Sequence, residues 1–333
     1  MQFLSSYISM LSAWMRSLQY PLFYIIAFGI GFYIIYMVYQ ATIMYSKMRG
    51  YRNIRTSQYD LLNHLNQYIR SIHPSMYSVK LGTSSGDNTS KMTNRAKNHK
   101  HVEEFKRQYM TQLREPTADE IGQLSSKCAS IDGMLKEYKL NLLCGVPWHF
   151  IISKRNLEFG YPYTLGNTIV LPEHMVSDVS TETLLHEKIH VFQRMYPGLF
   201  DDLYSLLFPF MKKMDAPDIA FSDDIRKTEM TNPDGNSDIW LYFDKGVWFY
   251  PSLQLGTVSM TEEVGYAVES RLAPMKVDSR RRVPLRSLHA LRSYPRSVSV
   301  YHPNEIIACL LSHQIVSGKK ISKSITSLLN DDL

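Results

Sequence analysis

Apolar and polar positions alternate with four different rhythms along this chain, and each rhythm predicts a different element. At the start, Phe3, Leu4, Tyr7, Ile8, Leu11, Trp14 and Leu18 fall on one helical face with serines between them, the pattern of a helix lying in a membrane interface. From Leu22 to Tyr39 the run is almost wholly apolar. At about 1.5 Å per residue it extends roughly 27 Å, close to a bilayer's hydrocarbon core. It is longer than the apolar core of a cleaved signal peptide and ends in bulky tyrosines, so it predicts an uncleaved transmembrane anchor over residues 20–45. Residues 46–118 lose the periodicity: a short helix over Asp60 to Ile72, a turn-forming tract from Gly82 to Ser90, then a basic stretch from Lys91 to Arg107. They predict a flexible and partly helical linker.

Helical spacing returns at Asp119 to Leu143, where Ile121, Leu124, Cys128, Ile131 and Leu135 recur on one side, so the folded domain is expected over residues 119–333. His149 to Ser153 and Asn167 to Leu171 read as strands separated by a turn at Gly160. Thr181 to Tyr196 reads as a helix with Ser180 as N-cap and Pro197-Gly198 as its end. Its core stripe is Leu185, Ile189, Phe192 and Tyr196. Leu199 to Met214 predicts a further helix interrupted near Pro209, and Asn232 to Gly235 a tight turn. Ile239 to Phe243 and Val247 to Tyr250 flank Asp244-Lys-Gly246 as a hairpin. Residues 261–269 and 301–308 read as two helices bearing glutamates.

Composition changes this picture little. The chain has 333 residues, 44% of them hydrophobic, enough for one large domain or two small ones. Cys128, Cys144 and Cys309 show no CxxC or zinc-finger spacing, and so odd and sparse a count argues against a disulfide framework and suits a reducing compartment. The net charge of +6 is uneven: Lys276, Arg280, Arg281, Arg282, Arg286, Arg292 and Arg296 face one acid, Asp278. No helix-turn-helix, zinc-finger or RNA-binding signature accompanies them, so nucleic acid is not expected as a partner, and the stretch reads as a surface loop. Lys47, Arg49, Arg52 and Arg55 follow the apolar run closely, whereas only Arg16 precedes it. That asymmetry predicts a single-pass membrane protein whose folded domain lies on the cytoplasmic or equivalent interior side. The sequon at Asn88 points the other way.

Candidate chemistry sits in the helix over Thr181 to Tyr196. His186, Glu187 and His190 form an HExxH pattern. Residues four apart lie one above the other on a helix, so both imidazoles reach one metal ion from the same face. Glu187 is about 100° around the helix, beside that ion and not on it, where a carboxylate can take a proton from water. A catalytic zinc site takes a third protein ligand. Glu305, in the first turn of a helix beginning at Pro303, has Ala308, Cys309 and Ser312 on its own side, which permits close approach to the HExxH helix. Glu262 and Glu263 are the alternatives. Tyr301, His302 and Tyr266 are candidates for stabilising an oxyanion.

Strands followed by an HExxH helix resemble the zincin metallopeptidases. HEKIH followed by NEIIA resembles the gluzincins among them, although His190 and Glu305 stand further apart than in many members. The apolar segment and the Tyr- and Met-rich style also resemble metallopeptidase-like proteins of large DNA viruses. The resemblance implies an α+β, zincin-like zinc peptidase domain behind an N-terminal transmembrane helix, with zinc on His186, His190 and Glu305. It implies Glu187 as general base and a protein or peptide as substrate. A catalytically inactive scaffold, or a binder of polyanions through the basic stretches, is the alternative reading.

Overall fold

Two sheets and two helices that pack on each other fix where the chemistry falls. The computed structural model describes residues 61–82, 99–215, 219–234, 238–255, 261–269 and 275–329, and they belong to one unit, Tyr59–Leu333. In the first sheet, β1 (Leu113–Arg114), β2 (Phe150–Ser153), β3 (Tyr163–Leu165) and β4 (Thr168–Pro172) lie in the order β1-β2-β4-β3. β2 and β4 run parallel, while β3 pairs antiparallel with β4 at one edge. Every residue of β3 and β4 is buried, as expected of strands covered on both faces.

The second sheet contains β5 (Met211–Met214), β6 (Ile219–Ala220), β7 (Ile239–Asp244), β8 (Val247–Leu255), β9 (Thr261–Val268) and β10 (Met275–Pro284), in the order β5-β7-β8-β9-β10-β6. Its one parallel pair is β10 with β6. The β7–β8 hairpin turns at Lys245 and Gly246, with φ of 49° and 84°. Positive φ at both central residues is the requirement of a two-residue turn whose twist matches the strands it joins.

These sheets correct the expected fold class. In place of an α+β, zincin-like domain behind a transmembrane helix, the described residues form a mixed α/β architecture in which both sheets combine parallel and antiparallel pairs. Residues 261–269 are strand β9, not a helix. Thr261, Val264, Gly265 and Val268 are poor helix formers, and pairing with β8 and β10 satisfies their backbone. The expected surface loop at 276–296 is in part strand β10, and the end of the expected 199–214 helix, after Pro209, is β5.

The expected single-pass membrane localisation, with the domain on the cytoplasmic side, is corrected with it. No helix among the described residues is long and apolar enough to cross a membrane. The longest of them, Ala118–Glu137, has the length but carries Asp119, Glu120, Lys127, Asp132 and Lys136 along it. Both the interfacial helix expected over residues 1–19 and the span over 20–45 lie outside the described residues.

Residues 61–81 and 99–110 were expected in the linker, yet they enter the fold. Leu61, Leu65, Tyr68, Ile69, Phe105 and Tyr109 build a core with Leu157 and with Ile151, Tyr163, Leu165 and Val170 on one face of the first sheet. Helical spacing collects these apolar side chains on one side, while Arg107 pairs with Glu104 in solvent. The larger core joins Ala118–Glu137, the two helices that carry the site and the other face of the first sheet.

Candidate metal centre

The helix Thr181–Met195 begins where the Ser180 hydroxyl accepts from the Thr183 N–H at 3.0 Å, removing one unpaired donor of the first turn. Leu185, Ile189 and Phe192 are fully buried in the main core and fix its rotation. The helix Pro303–Val316 starts with proline at its first position, and His302 Nδ1 accepts from the Asn304 N–H at 3.1 Å. Ala308 and Ser312, 0% and 1% exposed, let it lie close against the first helix.

That packing brings His186, His190 and Glu305 together. The two Nε2 atoms are 2.9 Å apart, and Glu305 places Oε2 at 3.5 Å from His186 Nε2 and Oε1 at 3.5 Å from His190 Nε2. Donors bound tetrahedrally at about 2.0–2.1 Å stand about 3.3–3.4 Å from one another. The two nitrogen–carboxylate separations come close to this spacing, while the Nε2–Nε2 distance is shorter by about 0.4 Å, so a small rotation of one ring would complete a zinc site.

Charge fits as well. Glu187, Asp234 and Glu305 are all buried around the two rings. Burial works against protonation of His186, but the Cys309 thiol and the Glu305 carboxylate outweigh it and hold its pKa well above the ordinary value. Burial is likewise outweighed at His190, chiefly by the Glu305 charge, and its pKa is raised. Glu305 is pushed well below the usual carboxylate range, with burial overcome by His190 and His186. A field that retains extra protons on two imidazoles also attracts a cation.

His190 is oriented from behind. Gln193 Oε1 lies 2.8 Å from His190 Nδ1, while Gln193 Nε2 donates to the Asn304 carbonyl at 2.9 Å. The amide oxygen only accepts, so in the neutral ring the proton is on Nδ1 and Nε2 presents its lone pair to the centre. Asn304 is held in turn by the Tyr204 hydroxyl at 2.7 Å. On the opposite side, Asn232 Nδ2 donates to Glu305 Oε1 at 3.0 Å and to the Tyr301 hydroxyl at 2.7 Å, and Tyr301 donates to Glu305 Oε1 at 3.2 Å.

Glu187 does not join the ligand group. It is 4% exposed, and its Oε2 has no hydrogen-bond partner. Burial first, and the Asp234 charge second, push its pKa up to about 8. Asp234 accepts from the Thr164 hydroxyl at 2.7 Å and from the Thr164 N–H. The turn that carries Asn232 and Asp234 is pinned by Lys80, whose Nζ donates at 2.8 Å both to the Thr231 carbonyl and to Glu158 Oε2. Glu158 and Phe159 adopt φ of 49° and 63°, a conformation costly for side chains with a Cβ and sustained here by that buried pair.

The centre opens into a cavity of about 840 Å³ whose lining includes His186, Glu187, Asn232, Tyr301 and Glu305 together with Phe159, Tyr161 and Pro162. A second cavity of about 490 Å³ lies beyond the Thr231–Pro233 segment and is lined by His302, Trp240 and Tyr250. Burial lowers His302 to about 4. Of the three oxyanion candidates, Tyr301 lines the cavity that His186 and Glu305 line. His302 caps a helix, and Tyr266 is buried in a cluster of the second sheet.

Neither alternative ligand reaches the group. Glu263, on β9, accepts from the Ser299 hydroxyl at 2.6 Å and the Val300 N–H at 2.7 Å, while Glu262 is its neighbour on the strand. Among the described residues, His186, His190 and Glu305 are the one set of His, Cys, Asp or Glu that converges with donor atoms within 4.8 Å. Sequence reading missed Gln193, Asn232, Asp234 and Asn304. Gln193 was accessible, because a residue three after His190 shares its face. The turn residues carry no local sign of their role. Compared with protein-family models, curated proteins and solved structures, the chain matches none.

Proposed function

We propose that this chain is a zinc-dependent metallopeptidase, with His186, His190 and Glu305 holding the metal and Glu187 acting as general base. The observation that carries this reading is the convergence of His190 and Glu305, both buried, with the half-buried His186, beside a Glu187 oxygen that has no hydrogen-bond partner. Zinc supplies Lewis acidity toward a carbonyl and acidifies a water molecule.

The chain's own groups do the rest. Gln193 fixes the His190 tautomer, and Asn232 and Tyr301 hold the Glu305 carboxylate in place. Glu187 takes a proton from the attacking water and passes it to the leaving amine. Hydroxyl adds to the acyl carbon, the C–N bond breaks, and a carboxylate and an amine leave. The intact Glu187 argues against an inactive scaffold, which needs ligands but no base. Phe159, Tyr161 and Pro162 form an apolar wall suited to a peptide side chain.

Metal analysis of the purified protein together with a broad peptide-cleavage screen tests the reading. Near-stoichiometric zinc and cleavage abolished by chelation and restored by zinc are expected. Zinc-free protein that cleaves peptides, or zinc-loaded protein that cleaves none, overturns it.

A further inference from the structure

The arginine-rich stretch of residues 276–296 has so far had no role, and the structure divides it in two. Lys276, Arg280, Arg281 and Arg282 are exposed along β10, whereas Arg286 and Arg296 line the cavity that His186 and Glu305 line. Arg286 is fully engaged: it donates to the carbonyls of Tyr294, Pro295, Arg296 and Val298, and stands 3.8 Å from Glu263. It thereby fastens the segment that carries Arg296. Arg296 itself is exposed, and its guanidinium makes no hydrogen bond or ion pair among the described residues.

Other charges of this cavity already have partners. Glu158 is met by Lys80 and Tyr68, Asp234 by Thr164, and Glu263 by Ser299 and Val300, while Glu187 and Glu305 belong to the metal centre. Arg296 is thus a cation of the wall left for something that enters. A guanidinium fork matches a carboxylate in two parallel hydrogen bonds. Anchoring by Arg286 lowers the entropy lost when such a contact forms. The same cavity is lined by the apolar groups of Phe159, Tyr161 and Pro162, with Tyr161 57% exposed.

We infer that the cavity recognises a peptide segment bearing an acidic side chain, received by Arg296, with an apolar or aromatic side chain directed toward Phe159 and Tyr161. Cleavage of that segment rests on the metallopeptidase reading; its recognition does not.

The test uses fluorescent peptides with a central Phe, in pairs that differ only by Glu or Gln at one position, moved along either side of the Phe. Binding to the full chain carrying Glu187→Gln is followed by anisotropy, with zinc and with chelator, and cleavage by the unmodified chain is followed in parallel. The Glu peptide of at least one pair should bind about three- to tenfold more tightly at low salt, with the preference shrinking as salt rises. Arg296→Gln should remove the preference and Arg296→Glu should reverse it. Arg281→Gln, the same charge change outside the cavity, should leave it intact. Equal binding within every pair, a preference that survives Arg296→Gln, or no binding at all overturns the inference. Acid-selective binding without cleavage by zinc-loaded protein sinks the peptidase reading alone. Cleavage indifferent to the acidic residue sinks the recognition alone.

Discussion

His190 Nε2 and Glu305 Oε1 stand 3.5 Å apart, although one belongs to the helix Thr181–Met195 and the other to the first turn of Pro303–Val316. A single side chain links the two helices beside that pair: Gln193 grips the His190 ring with its oxygen and the carbonyl of Asn304, the residue before Glu305, with its nitrogen. Both contacts are buried, where a lost hydrogen bond leaves a group without water to replace it.

Glu187→Gln should abolish peptide cleavage and leave zinc bound. The amide keeps the shape of the side chain but cannot accept the proton, and Glu187 is outside the ligand group. Metal content by mass spectrometry and single-turnover cleavage check it. Wild-type rates, or loss of the metal, would remove Glu187 from its assigned role.

Glu305→Ala should lose zinc, whereas Glu263→Ala should keep it. The first removes a donor from a three-donor set. The second frees Ser299, Val300 and Arg286 and loosens the 296–300 segment, so its cost appears in stability. Competition against a chromophoric chelator ranks the two, and the reverse order would transfer the ligand role to β9.

Gln193→Ala should weaken zinc binding by about 10–100-fold while the helices stay packed, as for other groups that orient a metal-binding histidine. Zinc affinity and the circular dichroism spectrum are the two readouts. Unchanged affinity would show that His190 is oriented without it.

Lys80→Met should destabilise the fold by about 3–5 kcal/mol, because it strands the Glu158 carboxylate in the interior. The pair is 1% and 4% exposed, with Nζ to Oε2 at 2.8 Å. The double change Lys80→Met with Glu158→Gln should cost less than the single one in urea unfolding. A double mutant as unstable as the sum of both single changes would deny that the charge is what matters.

Zinc should raise the unfolding temperature, and chelation should lower it. Glu187, Asp234 and Glu305 repel one another when no cation is among them, and a ligand at a thousand times its Kd stabilises by about 4 kcal/mol. Calorimetry with and without a chelator measures the difference; no shift at saturating zinc would mean that the ion does not bind the folded chain.

What the sequence by itself determined is local. The i, i+4 spacing of His186 and His190, the Ser180 cap, the stripe of Leu185, Ile189 and Phe192, and the two-residue turn at Lys245-Gly246 all follow from helix pitch or turn geometry, and each needs no more than a dozen neighbouring residues. Even Glu305 was accessible, because Pro303 starts its helix and small residues follow on its side. Tertiary structure decided the remainder. The 261–269 segment reads as a helix from its glutamates and alanine, but edge-to-edge pairing with β8 and β10 outweighs a propensity of tenths of a kcal/mol per residue. The basic helix over residues 99–110 looks like linker until Phe105 and Tyr109 find the face of the first sheet. Asn232 and Asp234 read as turn residues and nothing more. Their role arises because Lys80 and Thr164, distant in the chain, draw that turn over Glu305. Contacts of this kind depend on which elements become neighbours, and no periodicity along the chain encodes that.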